Sequence, residues 1–108
     1  MADNLKTRYI ASMPMNVVSN KALREFAALH AEAETPLQDF RRKMEKGSFT
    51  NFAELRESFG AVDRVGDRYV FNIGGNKFRL IAWVQFDKRR CYVKAVLTHA
   101  EYDKGKWK

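Results

Sequence analysis

Apolar side chains recur every three to four residues in the first half of the chain and every second residue from Asp63 onward, so helices precede a sheet. Asn16 to Ser19 (Asn-Val-Val-Ser) is a short strand candidate. Ser19 or Asn20 can cap a helix reaching about Ala33, with Leu23, Phe26, Ala27 and His30 on its i, i+3, i+4, i+7 stripe. Thr35-Pro36 signals a second helix: threonine is a good N-cap, and proline, which has no amide hydrogen, suits the first helical position. Leu37, Phe40 and Met44 define its inner edge, with Arg41 at the margin, and Gly47 ends it. A third, short helix starts at Asn51. Glu54 follows at capping-box spacing, Phe52, Leu55 and Phe59 form the stripe, and Gly60 stops it.

In the alternating half, Tyr69, Phe71 and Ile73 point one way and Val70 and Asn72 the other. Gly74-Gly75-Asn76 is a tight turn into a strand from Lys77 to Phe86. There Phe78, Leu80, Ala82, Val84 and Phe86 share one side, and Arg79, Ile81, Trp83 and Gln85 the other. After the polar loop Asp87-Lys88-Arg89-Arg90, the last strand runs from Cys91 to Thr98. Cys91, Val93, Ala95 and Leu97 take one face; Tyr92, Lys94, Val96 and Thr98 take the opposite one. A four-residue loop pairs Phe86 with Cys91 and sets Lys94 beside Trp83. The expected fold is therefore α+β: a three-stranded antiparallel meander with the short N-terminal strand and the helices packed on its apolar face. Its other face is open and basic, bearing Asn72, Lys77, Arg79, Trp83, Gln85, Tyr92, Lys94 and Thr98. Met1 to Pro14 has no clear period and is expected to form an appended, mobile arm; residues 15–108 form one domain, as the length of 108 residues suggests.

Charge narrows the partner. The net charge is +7, and it is uneven. Met1 to Val62 carries 9 basic and 8 acidic side chains, whereas Asp63 to Lys108 carries 11 and 5, a net of +6. A polyanion suits the second half, be it nucleic acid, an acidic protein or an anionic membrane surface. The single cysteine, Cys91, allows no disulfide framework and no cysteine-based metal site, and its apolar neighbours suit a buried, inert thiol. No run approaches the ~20 apolar residues that span a bilayer. Lys6 and Arg8 precede no apolar stretch of signal-peptide type, so a cytoplasmic location is expected.

The open face interleaves cations with aromatics, an arrangement that suits RNA: Lys and Arg meet phosphates while Trp83 or Tyr92 stacks on bases. A solvated sheet face with snorkelling cations has the same composition. His99 and Tyr102 follow directly after the last strand. A ribonuclease that uses the RNA's own 2′-hydroxyl as nucleophile needs a base near it, cations around the scissile phosphate and an acid for the leaving 5′-oxygen. Histidine suits proton transfer because it titrates near neutrality; tyrosine and lysine serve where neighbouring cations favour their deprotonated forms. Arg79 and Lys94 would stabilise the charge on the phosphorus centre. A helix-capping or core role for His99 is the competing reading, and His30, on the first helix's stripe, reads as structural. Gly74-Gly75 is not a phosphate loop, since no helix follows it. No histidine–carboxylate cluster has metal-ligand spacing, and no metal or other cofactor is expected.

Tyr69-Val70-Phe71-Asn72-Ile73-Gly74-Gly75-Asn76-Lys77-Phe78-Arg79-Leu80, then Cys91-Tyr92-Val93-Lys94 and Thr98-His99-Ala100-Glu101-Tyr102-Asp103, closely resembles the HigB family of type II toxin–antitoxin toxins, within the RelE-like superfamily. Lys21-Ala22-Leu23-Arg24-Glu25-Phe26 and Asn51-Phe52-Ala53-Glu54-Leu55 resemble its helical half. The resemblance covers about Met15 to Asp103, and the Met1 to Pro14 arm departs from it. It implies a RelE-like fold and an mRNA interferase acting on ribosome-bound message. It also implies a HigA-type helix-turn-helix antitoxin, and operator DNA bound only through the toxin–antitoxin complex, with no membrane partner. Carried onto this chain, the catalytic candidates are Asn72, Arg79, Lys94, His99 and Tyr102, and the RNA-binding candidates Arg68, Lys77, Trp83, Tyr92 and Lys104. Two alternatives stay open at this level: a toxin of the same fold that blocks a protein target such as gyrase, and a non-catalytic RNA-binding module.

Overall fold

A computed structural model describes residues 14–108, so all of the expected N-terminal arm except Pro14 lies outside the described residues. The helical half follows the apolar stripes but breaks earlier than they suggest. Helix α1 (Asn20–Leu29) ends four residues before Ala33, the last residue of a 3-10 turn. The break is at His30, whose backbone leaves the helical region at φ −132° and ψ 85°. Its ring stacks on Phe26 at 4.4 Å and tilts against Phe78 at 5.8 Å, which makes it a packing residue. The 3-10 turn Ala31–Ala33 runs directly into α2 (Glu34–Lys46). Thr35 is therefore inside the helix and not its cap, and Pro36 sits in the first turn, where amides have no helical partner to lose. Leu37, Phe40 and Met44 are its buried residues, and Gly47 is its C-cap. Helix α3 (Phe52–Ser58) is capped as expected: the Asn51 side chain accepts from the Glu54 amide at 2.9 Å.

Among the described residues the sheet has five strands and not three. β1 (Asn16–Val18), β2 (Asp63–Val65), β3 (Arg68–Ile73), β4 (Phe78–Gln85) and β5 (Arg90–Thr98) lie in the order β1-β5-β4-β3-β2. β1 runs parallel to β5, and the other pairs are antiparallel, so the sheet is mixed. β1 joins because Met15 and Val17 are buried in the core while the Asn16 amide donates to the Arg89 carbonyl at 2.8 Å. β2 joins through a turn at Gly66, whose φ of +63° favours glycine. Gly74 and Gly75 both have positive φ, +61° and +68°, so the β3–β4 hairpin requires two left-handed residues in succession.

The β3–β4 register is the one alternation demanded: Phe71 faces Leu80 and Asn72 faces Arg79. The β4–β5 register differs. Val84 pairs with Cys91, so Tyr92 and not Lys94 stands opposite Trp83. A bulge then places Ala82 against Val93 and Ile81 against Ala95, which leaves Lys94 as the extra residue. One inserted residue exchanges the faces beyond it. Val96, expected outside, packs against the core, and Ala95 and Leu97 are carried to the outer face with Ile81 and Arg79. The tight β4–β5 turn needs Arg89 at φ +57°. Its guanidinium is buried and donates to the carbonyls of Phe49 and Phe86, so it braces the turn instead of belonging to a solvated loop. Burial pushes its pKa down, and the Glu54 carboxylate opposes that shift.

The main core lies between the helices and one face of the sheet. Phe71 anchors it, with ring centroids 4.9 Å from Phe40 and 5.2 Å from Phe59. Cys91 is fully buried there, and loss of solvation pushes its thiol up to about 12.

Candidate active site

The opposite face of the sheet is not uniformly open. Val70 and Ile81 lie on it, face each other across β3 and β4, and are only 3% and 1% exposed. The C-terminal segment crosses this region. Helix α4 (His99–Asp103) leaves β5 without a loop. Thr98 is its cap: the Glu101 amide donates to Thr98 Oγ1 at 3.2 Å, and the Thr98 amide donates to Glu101 Oε1 at 2.9 Å. This reciprocal pair is a capping box. The Thr98 amide and hydroxyl hold the Glu101 carboxyl below its usual range, so it stays an ionised capping group. The His99 amide donates to the Lys77 carbonyl at 3.1 Å, tying the start of α4 to the end of the β3–β4 turn.

That anchoring fixes where the helix's side chains go. His99 Nδ1 lies 2.9 Å from Asp103 Oδ2, one turn along, and the imidazole remains 43% exposed. With Nδ1–H held by a carboxylate, Nε2 is the ring atom left to exchange a proton. Tyr102, three residues from His99 on the same side of the helix, places its ring 5.4 Å from the Arg79 guanidinium carbon. Arg79 is 8% exposed and is held from below. Its Nη1 donates to the carbonyls of Asn76 (3.2 Å) and Phe78 (3.1 Å), and Nη2 donates to Asn76 Oδ1 at 2.5 Å. Those three bonds leave two of the five guanidinium N–H donors for an anion. Asn72 is exposed directly across the strand pair. Arg79 and Tyr102 thus meet at one end of the outer face, with Asn72 across the strand pair from Arg79 and His99 at the start of the helix that carries Tyr102.

Lys94 does not join them. Its Nζ lies 5.6 Å from the Trp83 ring, whose other neighbour is Tyr92, stacked at 5.6 Å and 28°. Arg90 Nη1 donates to the Tyr92 hydroxyl at 3.1 Å, which raises the Arg90 pKa. Trp83 is 38% exposed. Trp83, Tyr92, Lys94 and Arg90 therefore form a second group, four residues along β4 from Arg79, or roughly 13 Å. Of the remaining candidates, Lys77 and Lys104 are exposed; the Lys77 carbonyl accepts from the His99 amide at the start of α4, and Lys104 caps the helix's end. Arg68 lies beside Asp67 at 3.7 Å and lines a 300 Å³ cleft with Val65, Trp107 and Lys108.

Three participants were not singled out from the sequence as site residues. Asp103 pairs with His99, Asn76 holds Arg79, and Trp107 stacks on Tyr102. The i, i+4 spacing of His99 and Asp103 was a visible signal; the other two contacts depend on how a turn and the chain end fold over the sheet.

The arrangement can hold an anion on Arg79 and move protons at His99 Nε2 and the Tyr102 hydroxyl, and it presents stacked rings and cations farther along the same face. Residues 33–105 match the family model described as HigB_toxin, the RelE-like toxic component of a toxin–antitoxin system. The chain is 35% identical over 92 residues to the mRNA interferase toxin HigB of Escherichia coli (strain K12), covering 82% of this chain and 88% of the relative. The same figures hold for the mRNA interferase HigB of Shigella flexneri. The mRNA interferase HigB of Escherichia coli O6:H1 is 32% identical over 93 residues, covering 83% and 90%.

Proposed function

Because the chain belongs to the HigB family, the RelE-like toxic components of toxin–antitoxin systems, we propose that the α4 cluster cleaves mRNA by attack of the ribose 2′-hydroxyl on the adjacent phosphate. The observation that carries this reading is the placement of two proton-transfer groups, His99 and Tyr102, on one short helix laid against Arg79. One of the pair takes the proton from the 2′-hydroxyl. The new 2′-oxygen–phosphorus bond forms as the bond to the 5′-oxygen breaks, and the other group protonates that oxygen. The products are a 2′,3′-cyclic phosphate and a 5′-hydroxyl. Arg79 stabilises the charge on the phosphoryl oxygens with its two remaining donors, and Asn72 offers a further amide donor beside it. Every step uses side chains and the RNA's own hydroxyl, with no metal in the step.

Lys94 belongs to binding. With Trp83, Tyr92, Arg68, Lys77 and Lys104 it supplies the stacking surface and phosphate contacts for single-stranded message, and the ribosome presents that message in the cytoplasm. A HigA-type helix-turn-helix antitoxin neutralises the toxin, and their complex binds operator DNA through the antitoxin.

The test is cleavage of a defined mRNA, with and without ribosomes and in the presence of a chelator, by the parent and by His99→Gln, Tyr102→Phe and Arg79→Ala. A positioned acid or base contributes roughly 100- to 10,000-fold. Losses of at least about 100-fold at His99 and Tyr102 are therefore expected. Three variants as active as the parent would remove the site. Brief induction in cells with no new 5′ ends inside messages would remove the nuclease reading and point to a protein target.

A further inference from the structure

The last residues of the chain act on Tyr102 twice. The Trp107 indole N–H donates to the Tyr102 carbonyl at 2.9 Å, and the Gly105 amide donates to the same oxygen at 3.0 Å. Both lone pairs of one of the last carbonyls of α4 are thereby used. The indole also stacks on the phenol ring, with centroids 5.0 Å apart and planes 14° from parallel. The Arg79 guanidinium lies at 5.4 Å from the same phenol ring. Trp107, Tyr102 and Arg79 thus form a stack of three planar groups, with Arg79 fixed in turn to Asn76. Gly105 makes the return possible: its φ of +72° reverses the chain so that Trp107 comes back over the helix. Trp107 lies beyond residues 33–105, the span that matches the family model.

We infer that Trp107 is a positioning residue for Tyr102, holding the phenol against Arg79 so that its hydroxyl meets the substrate in one orientation. The inference rests on the proton-transfer role proposed for Tyr102. The physical need is clear from the helix itself. Five residues are too few to be stable as a helix alone, so α4 takes its order from its contacts. Side chains that face solvent flip between rotamers within nanoseconds, and Tyr102 is only partly covered. An aromatic stack biases such an equilibrium by roughly twofold to tenfold, which sets the size of the expected effect. Trp107 touches no reacting atom in this scheme. It acts only through Tyr102, so its loss lowers kcat and leaves KM nearly unchanged.

The experiment compares Trp107→Ala and Trp107→Phe, each alone and combined with Tyr102→Phe, in steady-state cleavage of the same RNA. Each variant is accompanied by a thermal melt and by measurement of the NOEs between the Tyr102 ring protons and the Arg79 side chain. Trp107→Ala is expected to lower kcat about threefold to tenfold with little change in KM and to weaken the NOEs between the Tyr102 ring and the Arg79 side chain. Trp107→Phe, which keeps a ring but loses the N–H, falls between parent and alanine. In the Tyr102→Phe background, Trp107→Ala has no further effect, because the hydroxyl it would misplace is already gone. Tyr102 ring-to-Arg79 NOEs that keep their parental intensities in Trp107→Ala overturn the inference. So does a loss that adds in full to that of Tyr102→Phe, since a purely structural tryptophan would behave that way. If Tyr102→Phe alone cleaves at the parental rate, the role given to Tyr102 fails, and the Tyr102–Arg79 NOEs still report separately whether Trp107 holds the ring. Where Trp107→Ala does not fold, the Trp107→Phe cycle decides by the same criteria.

Discussion

Replacing Thr98 with alanine removes the hydroxyl that accepts from the Glu101 amide and leaves the rest of β5 in place. The cost can be worked from the cap. An N-cap threonine contributes about 1 kcal/mol, and the reciprocal bond from the Thr98 amide to the Glu101 carboxylate weakens once the hydroxyl no longer orients that turn. About 1 kcal/mol corresponds to roughly a fivefold change in an equilibrium constant. Because α4 has only five residues, the change is felt as local fraying of His99 to Asp103 and not as unfolding of the sheet. Amide hydrogen exchange reads this directly. Protection of the Lys104 amide, which bonds to the Ala100 carbonyl, should fall about fivefold, with β4 amides unchanged. RNA cleavage should fall by up to the same factor, since the frayed fraction misplaces both His99 and Tyr102. Thr98→Ser keeps the acceptor and should restore both. Equal protection at Lys104 in the alanine and serine variants would refute the reasoning, because the cap would then contribute nothing to the order of α4.

Phe71→Ala should destabilise the domain by about 3–5 kcal/mol in urea unfolding, because it empties the aromatic contact that joins Phe40 and Phe59 to the sheet. Cys91 should resist a thiol reagent at pH 8 in the native protein and react only on unfolding; a thiol modified at the rate of a free cysteine would contradict its burial. Its raised pKa also signs a pH dependence: the contribution to stability is complete below about 9, the unfolded thiol's value, and is lost as pH rises toward about 12. Trp83→Ala should weaken binding of a non-cleavable single-stranded RNA by roughly fivefold to a hundredfold, the range for loss of one base stack, with unchanged affinity counting against the second group as an RNA surface.

Much of this was legible in the chain. The alternation around Gly74-Gly75 fixed Phe71 opposite Leu80 and Asn72 opposite Arg79, because a turn centred on Gly74-Gly75 or on Gly75-Asn76 gives the same parity. Asn51 with Glu54 marked the start of α3 for an equally local reason. Thr35 misled because a 3-10 turn can feed a helix without a side-chain cap, and the residue before it is already helical. β1 and β2 were obscure as sheet members since three residues carry too little periodicity to show their partners. The bulge at Lys94 was invisible for a sharper reason: one extra residue leaves the local pattern looking continuous while it exchanges the faces beyond it.

The division runs through the site as well. By itself the sequence determined the fold class, the apolar face, the basic second half and the identity of the candidate groups, because periodicity, turn chemistry and charge are properties of neighbouring residues. Only the tertiary structure decided which of those groups meet. It separated Lys94 from Arg79, paired His99 with Asp103, and brought Trp107 back over Tyr102 across a face that alternation alone left open. Contacts of that kind depend on where a bulge falls and where the chain end packs. Both are settled by the burial of Val70, Ile81 and Val96 within the folded whole, not by any local run of residues.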